Sequence, residues 1–123
     1  MENLKIIRKK TIVIDNLELA QFDFPIAMNF EEAAKACSEL GEGWRVPNRD
    51  ELNILFQNRD KIGGWAFTPG FGYRSYWSSM EYMGEECYGR PGNECAFNKY
   101  FRSGTGTFTY KKDKNQVRAV RYN

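Results

Sequence analysis

The side chains with chemistry in reach are two adjacent serines in "YWSS" (Ser78 and Ser79), a cysteine pair (Cys87 and Cys95) and the grouped carboxylates Glu81, Glu85, Glu86 and Glu94. A serine becomes a nucleophile only when a base takes its proton. The chain contains no histidine, which removes Ser-His and Cys-His catalysis and the usual zinc ligands, and three unclustered cysteines do not supply a tetrahedral site. Ser78 and Ser79 are therefore expected to hydrogen-bond to neighbouring backbone. A hard cation takes oxygen ligands, but these glutamates lack Asp-x-Asp regularity and read as a solvated acidic loop. Cys87 and Cys95 bracket the turn-rich "YGRPGNE", which leaves open an optional disulfide in an oxidising compartment. Cys37 lies in an apolar helical pattern and reads as a small buried hydrophobe. No catalytic residue, metal or cofactor is expected.

Binding is the better-supported chemistry. Aromatic residues make up 15% of the chain, and many fall between residues 65 and 110 in segments too polar and glycine-rich to be wholly buried. In "CAFNKYFR", strand alternation puts Phe97, Lys99 and Phe101 on the core face and leaves Asn98, Tyr100 and Arg102 on the other. The following strand places Phe108 and Tyr110 together. If those faces coincide across the "SGTG" turn, Tyr100, Arg102, Phe108 and Tyr110 form a patch with the Tyr and Arg content of binding hot spots. Such a patch stacks on sugar rings or contacts anionic groups. Tyr73, Arg74, Tyr76 and Tyr82, in and beside the loops 62–75 and 81–95, join Asn98 and the patch as candidate ligand-binding residues. The alternative is a second sheet face covered by the protein's own segment 62–75.

The elements that must position these residues are legible in part. Asn29 with Glu32, and Asn48 with Glu51, have the spacing of capping boxes, in which side chain and backbone cap each other. The first helix carries Phe30, Ala33, Ala34, Cys37 and Leu40 at helical spacing before Gly41 ends it, and the second runs from about Arg49 to Asn58, burying Leu52, Leu55 and Phe56. Pro47 forces the preceding "WRV" into an extended entry that turns Trp44 and Val46 inward. Runs "LKII", "TIVI" and "LELAQFDF" read as early strands, and "SYWSS", "CAFNKYFR", "GTFTYKK" and "QVRAVRY" as late ones, separated by turn chemistry. Helices segregated from strands indicate α+β with an antiparallel sheet.

At 123 residues the chain is expected to form a single domain, 1–123. The net charge of +2 gives no global argument for nucleic acid. No apolar run approaches the ~20 residues of a membrane span, so no membrane insertion is expected. "MENLKIIRKK" lacks the features of a signal peptide, which reads as cytoplasmic as encoded, or as part of an exported or phage assembly.

The series "NLELAQ", "NFEEAAKACSELGEGWRVPNRDEL", "YWSS", "AFNKYFRSGTG" and "VRAVR" resembles, in this order, the DUF1566 family, also called the Lcl C-terminal domain, of the C-type-lectin-like fold group. The resemblance covers roughly residues 12 to 122. It implies paired N- and C-terminal strands, two helices flanking a twisted antiparallel sheet, and a long loop region presenting ligand-binding surface; Trp44 and Trp77, in the segments that carry it, are expected in the core. The Glu-Pro-Asn or Gln-Pro-Asp tripeptide and the Trp-Asn-Asp of calcium-dependent sugar binders are absent, so binding is expected to be calcium-independent. The related formylglycine-generating enzymes use an active-site cysteine pair, and nothing in the sequence matches Cys87 and Cys95 to it.

Paired termini would bring Lys5, Arg8, Lys9 and Lys10 near Lys111, Lys112, Lys114, Arg118 and Arg121. A merged basic edge would hold a polyanion with steep salt dependence, or would serve to keep edge strands from aggregating. The resulting expectation is a non-catalytic module that binds a carbohydrate or a protein surface. The alternative is a structural or assembly protein, a homo-oligomer whose aromatic patch is the subunit interface.

Overall fold

The computed structural model describes residues 11–70 and 72–122. The early run "LKII" and the basic residues Lys5, Arg8, Lys9 and Lys10 lie outside them. β1 (Thr11–Ile14) and β2 (Leu17–Ala20) form a hairpin whose tight turn holds Asp15 at φ 56°, a left-handed geometry that Asp tolerates. The last strand, β10 (Val120–Tyr122), pairs antiparallel with the other side of β2. The first and last described strands thus share one sheet, ordered β1-β2-β10.

Both capping boxes form. Asn29 starts α1 (Phe30–Glu39) and Asn48 starts α2 (Arg49–Gln57), each accepting from the backbone of a glutamate that reaches back to it; loss of such a cap costs about 1 kcal/mol. α1 buries Ala33 and Cys37 and sets Phe30 edge-on against Trp77, with ring centroids 5.6 Å apart. α2 buries Leu52 and Leu55. A further turn, α3 (Arg59–Ile62), follows before Gly63 and Gly64 stop it at φ 70° and 75°. Arg45 bridges to Val120, and Trp44 and Val46 turn inward as the "WRV" reading expects.

Two small hairpins occupy the loop regions. β3 (Phe67–Thr68) pairs with β4 (Gly72–Tyr73), and β6 (Glu86–Cys87) with β7 (Arg90–Pro91). The second three-stranded sheet is β5 (Ser75–Glu81), β8 (Cys95–Tyr100) and β9 (Gly106–Tyr110), with β8 in the middle.

Residues 115–120 knit the sheets together. Met28 and Asn115 bond reciprocally, Phe24 donates to Val117 and Ala20 to Ala119 on one side; on the other, Gln116 donates to Ser75 and accepts from Trp77. The core lies on both sides of this segment. One cluster gathers Phe24, Cys37, Trp44, Trp77 and Val117, and the other Leu19, Leu52, Leu55, Trp65, Tyr76 and Phe101.

Glu51 is more than a cap. It holds Arg45 through two bonds of 2.6 and 2.7 Å and accepts from the Asn48 amide. Burial pushes its carboxyl upward, but those bonds and the Arg45 charge outweigh burial and leave it below its ordinary value. A carboxyl lower in the folded than in the unfolded chain adds stability that is complete above its unfolded value and is lost as pH falls through the folded one. Glu51→Gln is therefore expected to destabilise the protein by about 1–3 kcal/mol at neutral pH. In urea denaturation the gap to wild type should close as pH is lowered through the carboxylate range; a gap undiminished in acid contradicts this role.

Candidate functional site

Three of the expected binding residues come together. Tyr73 at the end of β4, Arg74 after it and Tyr100 at the end of β8 line one cleft of about 440 Å³ with Ser75, Lys114 and Gln116. The reason is local. Ser75 pairs across the sheet with Tyr100, Gln116 bonds to Ser75 along its other side, and the β3–β4 hairpin rises beside them as a wall. Arg74 is held by its amide to Ala66 and by its guanidinium to the Thr68 hydroxyl, both at 3.0 Å. The Tyr73 ring stands edge-on to Phe67 at 5.5 Å. Arg102 is exposed and runs along Gly72, where a Cβ would lie 3.2 Å from its Cδ. Gly72 also has φ 82°, so the hairpin needs glycine there on both counts.

Arg102 is thus beside the cleft, the other expected residues lie elsewhere, and the single amphipathic patch does not form. Phe97 pairs across the sheet with Phe108, and Cys95 with Tyr110, whereas Asn98 faces Thr107. Residues opposite one another share a face. Phe108 and Tyr110 are therefore on the Phe97 side, away from Tyr100. There they join a second cluster, with Tyr82 edge-on to Phe108 at 4.9 Å and Tyr88 to Tyr110 at 6.0 Å.

Tyr76 and Asn98 are not surface residues. β5 is covered on both faces, by Trp65 against Tyr76 at 5.2 Å and by Phe30 against Trp77. Trp65 of the segment 62–75 thus covers the face that carries Tyr76, Lys99 and Phe101, whereas the alternative reading had the segment cover the opposite, Tyr100 face. Asn98 is buried in the central strand; its Nδ2 makes only long bonds of 3.4 Å to Thr109 and Asn115, and its Oδ1 has no protein partner. Alternation holds for Phe97, Lys99 and Phe101, all buried. The Lys99 ammonium donates to the Gly104 carbonyl at 2.8 Å, and burial, then the nearby Arg49 charge, lower its pKa.

Lys5, Arg8, Lys9 and Lys10 of the expected basic edge lie outside the described residues, and three of its later members are engaged within the fold. Arg118 is 1% exposed, Lys111 pairs with Glu81, and Arg121 bonds Glu18 at 2.6 Å and overlies Trp44. Arg118 alternates with Val117, Ala119 and Val120, and an arginine in so apolar a run signals a buried partner. That partner is Asp23, 2.7 Å away. Asp23 also accepts from the Tyr76 hydroxyl and the Ala66 amide. Burial raises its carboxyl against the opposing pull of Arg118 and those bonds, and burial followed by the Asp23 charge raises the Tyr76 phenol. A tyrosine held protonated and an aspartate fully occupied have no free valence for a ligand.

Ser78 behaves as expected: its hydroxyl donates to the Phe97 carbonyl at 2.9 Å and accepts from the Met80 amide, whereas Ser79 is exposed and bonds through its main-chain amide to the Pro47 carbonyl. Among the described residues no group of acidic, cysteine or histidine side chains is placed to hold a metal ion, and no helix is long and apolar enough to cross a membrane. Cys87 and Cys95 are joined in a disulfide.

This arrangement of a sheet joining the first and last described strands, two capped helices beside it and a loop-rich second sheet is the C-type-lectin-like fold, α+β. Among solved structures the chain is similar to botrocetin, with TM-score 0.62 and 13% identity over 91% of this chain and 95% of that one. It is similar also to the snake venom toxin convulxin, with TM-score 0.63 and 9% identity over 92% and 95% of the two chains. Rhodocetin, solved in complex with the integrin alpha2-A domain with strontium, gives TM-score 0.63 and 10% identity over 92% and 96%. No protein-family model matches the chain, and no curated protein matches its sequence.

Burial pushes the Cys37 thiol up to about 12, far from the thiolate needed for reaction. Titration with a thiol reagent, without reductant, is expected to find none of the cysteines reactive in the native protein and Cys37 alone after unfolding, with Cys87 and Cys95 appearing only on reduction. More than one reactive thiol in the unreduced, unfolded chain contradicts the pairing.

Proposed function

We propose that this chain is a non-catalytic, calcium-independent ligand-binding module, related to the DUF1566 domains that its motif order resembles, and that it binds a carbohydrate or a protein surface in the Tyr73–Arg74–Tyr100 cleft. One observation carries the reading. Tyr73, Arg74 and Tyr100, three of the residues whose types suit binding, converge on one concave site although they come from separate parts of the chain. Two tyrosines offer ring faces, while Arg74, Lys114 and Gln116 offer hydrogen-bond donors, a combination that gives both area and orientation at low conformational cost. The strands beneath are fixed by the sheet, so little ordering free energy is spent on binding.

Fold likeness favours a protein ligand over a sugar. Rhodocetin was solved with an integrin domain and botrocetin with the von Willebrand Factor A1 domain. The absence of catalysis rests on the chemistry of the residues: no histidine to activate Ser78 or Ser79, Ser78 engaged with backbone, and Tyr76 and Asp23 engaged with each other.

The alternative, a subunit interface, now concerns Tyr82, Tyr88, Phe108 and Tyr110, where Tyr88 is 66% exposed. Arrays of glycans and of purified extracellular proteins probed with the chain test the two readings together. Tyr100→Ala and Arg74→Ala are each expected to weaken the bound ligand at least tenfold with the fold intact by circular dichroism. Ligand binding unmoved by either substitution, or a mass by light scattering that falls to monomer on Phe108→Ala, would overturn the cleft in favour of the interface.

A further inference from the structure

The cleft, on whose reading this inference rests, gathers in one concavity cations that have no counter-charge among the described residues. Elsewhere most cations are engaged: Arg45 with Glu51, Arg90 with Glu94, Lys111 with Glu81, Arg118 with Asp23 and Arg121 with Glu18. Arg59 and Lys99 donate to carbonyls, and Arg49 and Lys112 lie over rings. At the cleft, Arg74 donates only to the neutral Thr68 hydroxyl, and neither Lys114 nor the neighbouring Arg102 forms an ion pair among the described residues. Among the described residues no carboxylate lines the cleft. Like charges gathered in a concavity without a counter-charge raise the local concentration of anions and steer them inward.

A second feature narrows the kind of anion. Ala27 and Thr68 line the cleft, and the residues immediately before them, Ile26 and Phe67, are 69% and 59% exposed. A large aliphatic and a large aromatic side chain left open beside a basic cleft mark a surface that gains by meeting another apolar side chain, at roughly 25 cal/mol for each Å² removed from water. A sugar acid would use the Tyr73 and Tyr100 faces and the cations, but would leave Ile26 without a role. A protein segment uses all of them.

We propose that the cleft receives an acidic, extended segment of a protein partner. A carboxylate of that segment lies between Arg74 and Lys114, where a guanidinium makes its strong, charge-assisted bonds. An apolar side chain of the same segment lies against Phe67 and Ile26. Association is accordingly salt-sensitive, because exposed rim charges act mainly on the rate of encounter.

The test uses the intact chain and fluorescently labelled peptides of about twelve residues in two sets, one with Asp or Glu at alternate positions around Leu and Phe, the other with Asn and Gln in place of the acids. Uncharged and uronic-acid oligosaccharides form a third set. The acidic peptides are expected to bind at least tenfold tighter than their amide counterparts, to lose at least tenfold with Arg74→Gln combined with Lys114→Gln, and to weaken with Phe67→Ser and with added salt. Equal binding of the two peptide sets, or acidic-peptide binding that survives Arg74→Gln with Lys114→Gln, overturns the proposal. Oligosaccharides that bind through Tyr100 in preference to every peptide overturn it too while leaving the cleft as the site. If nothing binds in a Tyr100-dependent way, the cleft itself fails along with the acidic segment.

Discussion

The buried ion pair between Asp23 and Arg118 is the constraint on which the rest of this structure is arranged. Its two side chains are 9% and 0% exposed, and removing two charges from water costs several kcal/mol per ion unless geometry and further hydrogen bonds repay it. Here the repayment is spread over the fold. Arg118 reaches Asp23, the Gly63 carbonyl and the face of Trp65, and Asp23 takes the Tyr76 hydroxyl and the Ala66 amide. One pair therefore ties the exit from β2, the end of α3, the start of the loop 62–75, strand β5 and the closing segment 115–120. The loop so tied carries Tyr73 and Arg74, which makes the shape of the cleft a consequence of the pair beneath it.

What the sequence disclosed followed the range of the forces involved. Capping is local, and the Asn-to-Glu spacing placed both helices at their observed starts. The extended "WRV" entry, the inward Trp44 and the buried Cys37 are equally short-range inferences from Pro47 and helical spacing, while Trp77 was placed in the core by the family resemblance. Alternation misled where a strand is covered on both faces. β5 lies between Trp65 and Phe30, so Tyr76 and Trp77 are both buried, and central β8 buries Asn98 along with Phe97. Nothing in either strand announces what covers it. The register of β8 on β9, which separates Phe108 and Tyr110 from Tyr100, was equally out of reach, because "SGTG" alone leaves the turn and hence the facing residues undetermined.

The cleft shows the same mixture. Tyr73, Arg74 and Tyr100 were legible as binding residues by type, yet their meeting depends on the Ser75–Tyr100 pairing and on Gln116 entering beside Ser75. Gln116 and Ala27 were missed, and Lys114 was read as part of a basic edge, because all three belong to connections that only the fold brings close. The buried pair was missed for a different reason: Arg118 looked like one of several terminal cations, although its apolar neighbours Val117 and Ala119 were the available signal. Binding in this picture is a property of loops and strand ends held by a rigid frame, and the frame spends its own serines, tyrosine and aspartate on internal bonds.

Amide hydrogen exchange on Arg118→Met tests the central claim most directly, because it reads each segment separately. The side chain of Met replaces the volume but leaves Asp23 without its cation. If the pair secures the loop, amides from Ala66 to Arg74 should lose protection by tenfold or more while those of α1 keep theirs. A loss spread evenly over loop and helix, or protection unchanged at Ala66, would contradict the account and make the pair a passenger in an otherwise self-sufficient core.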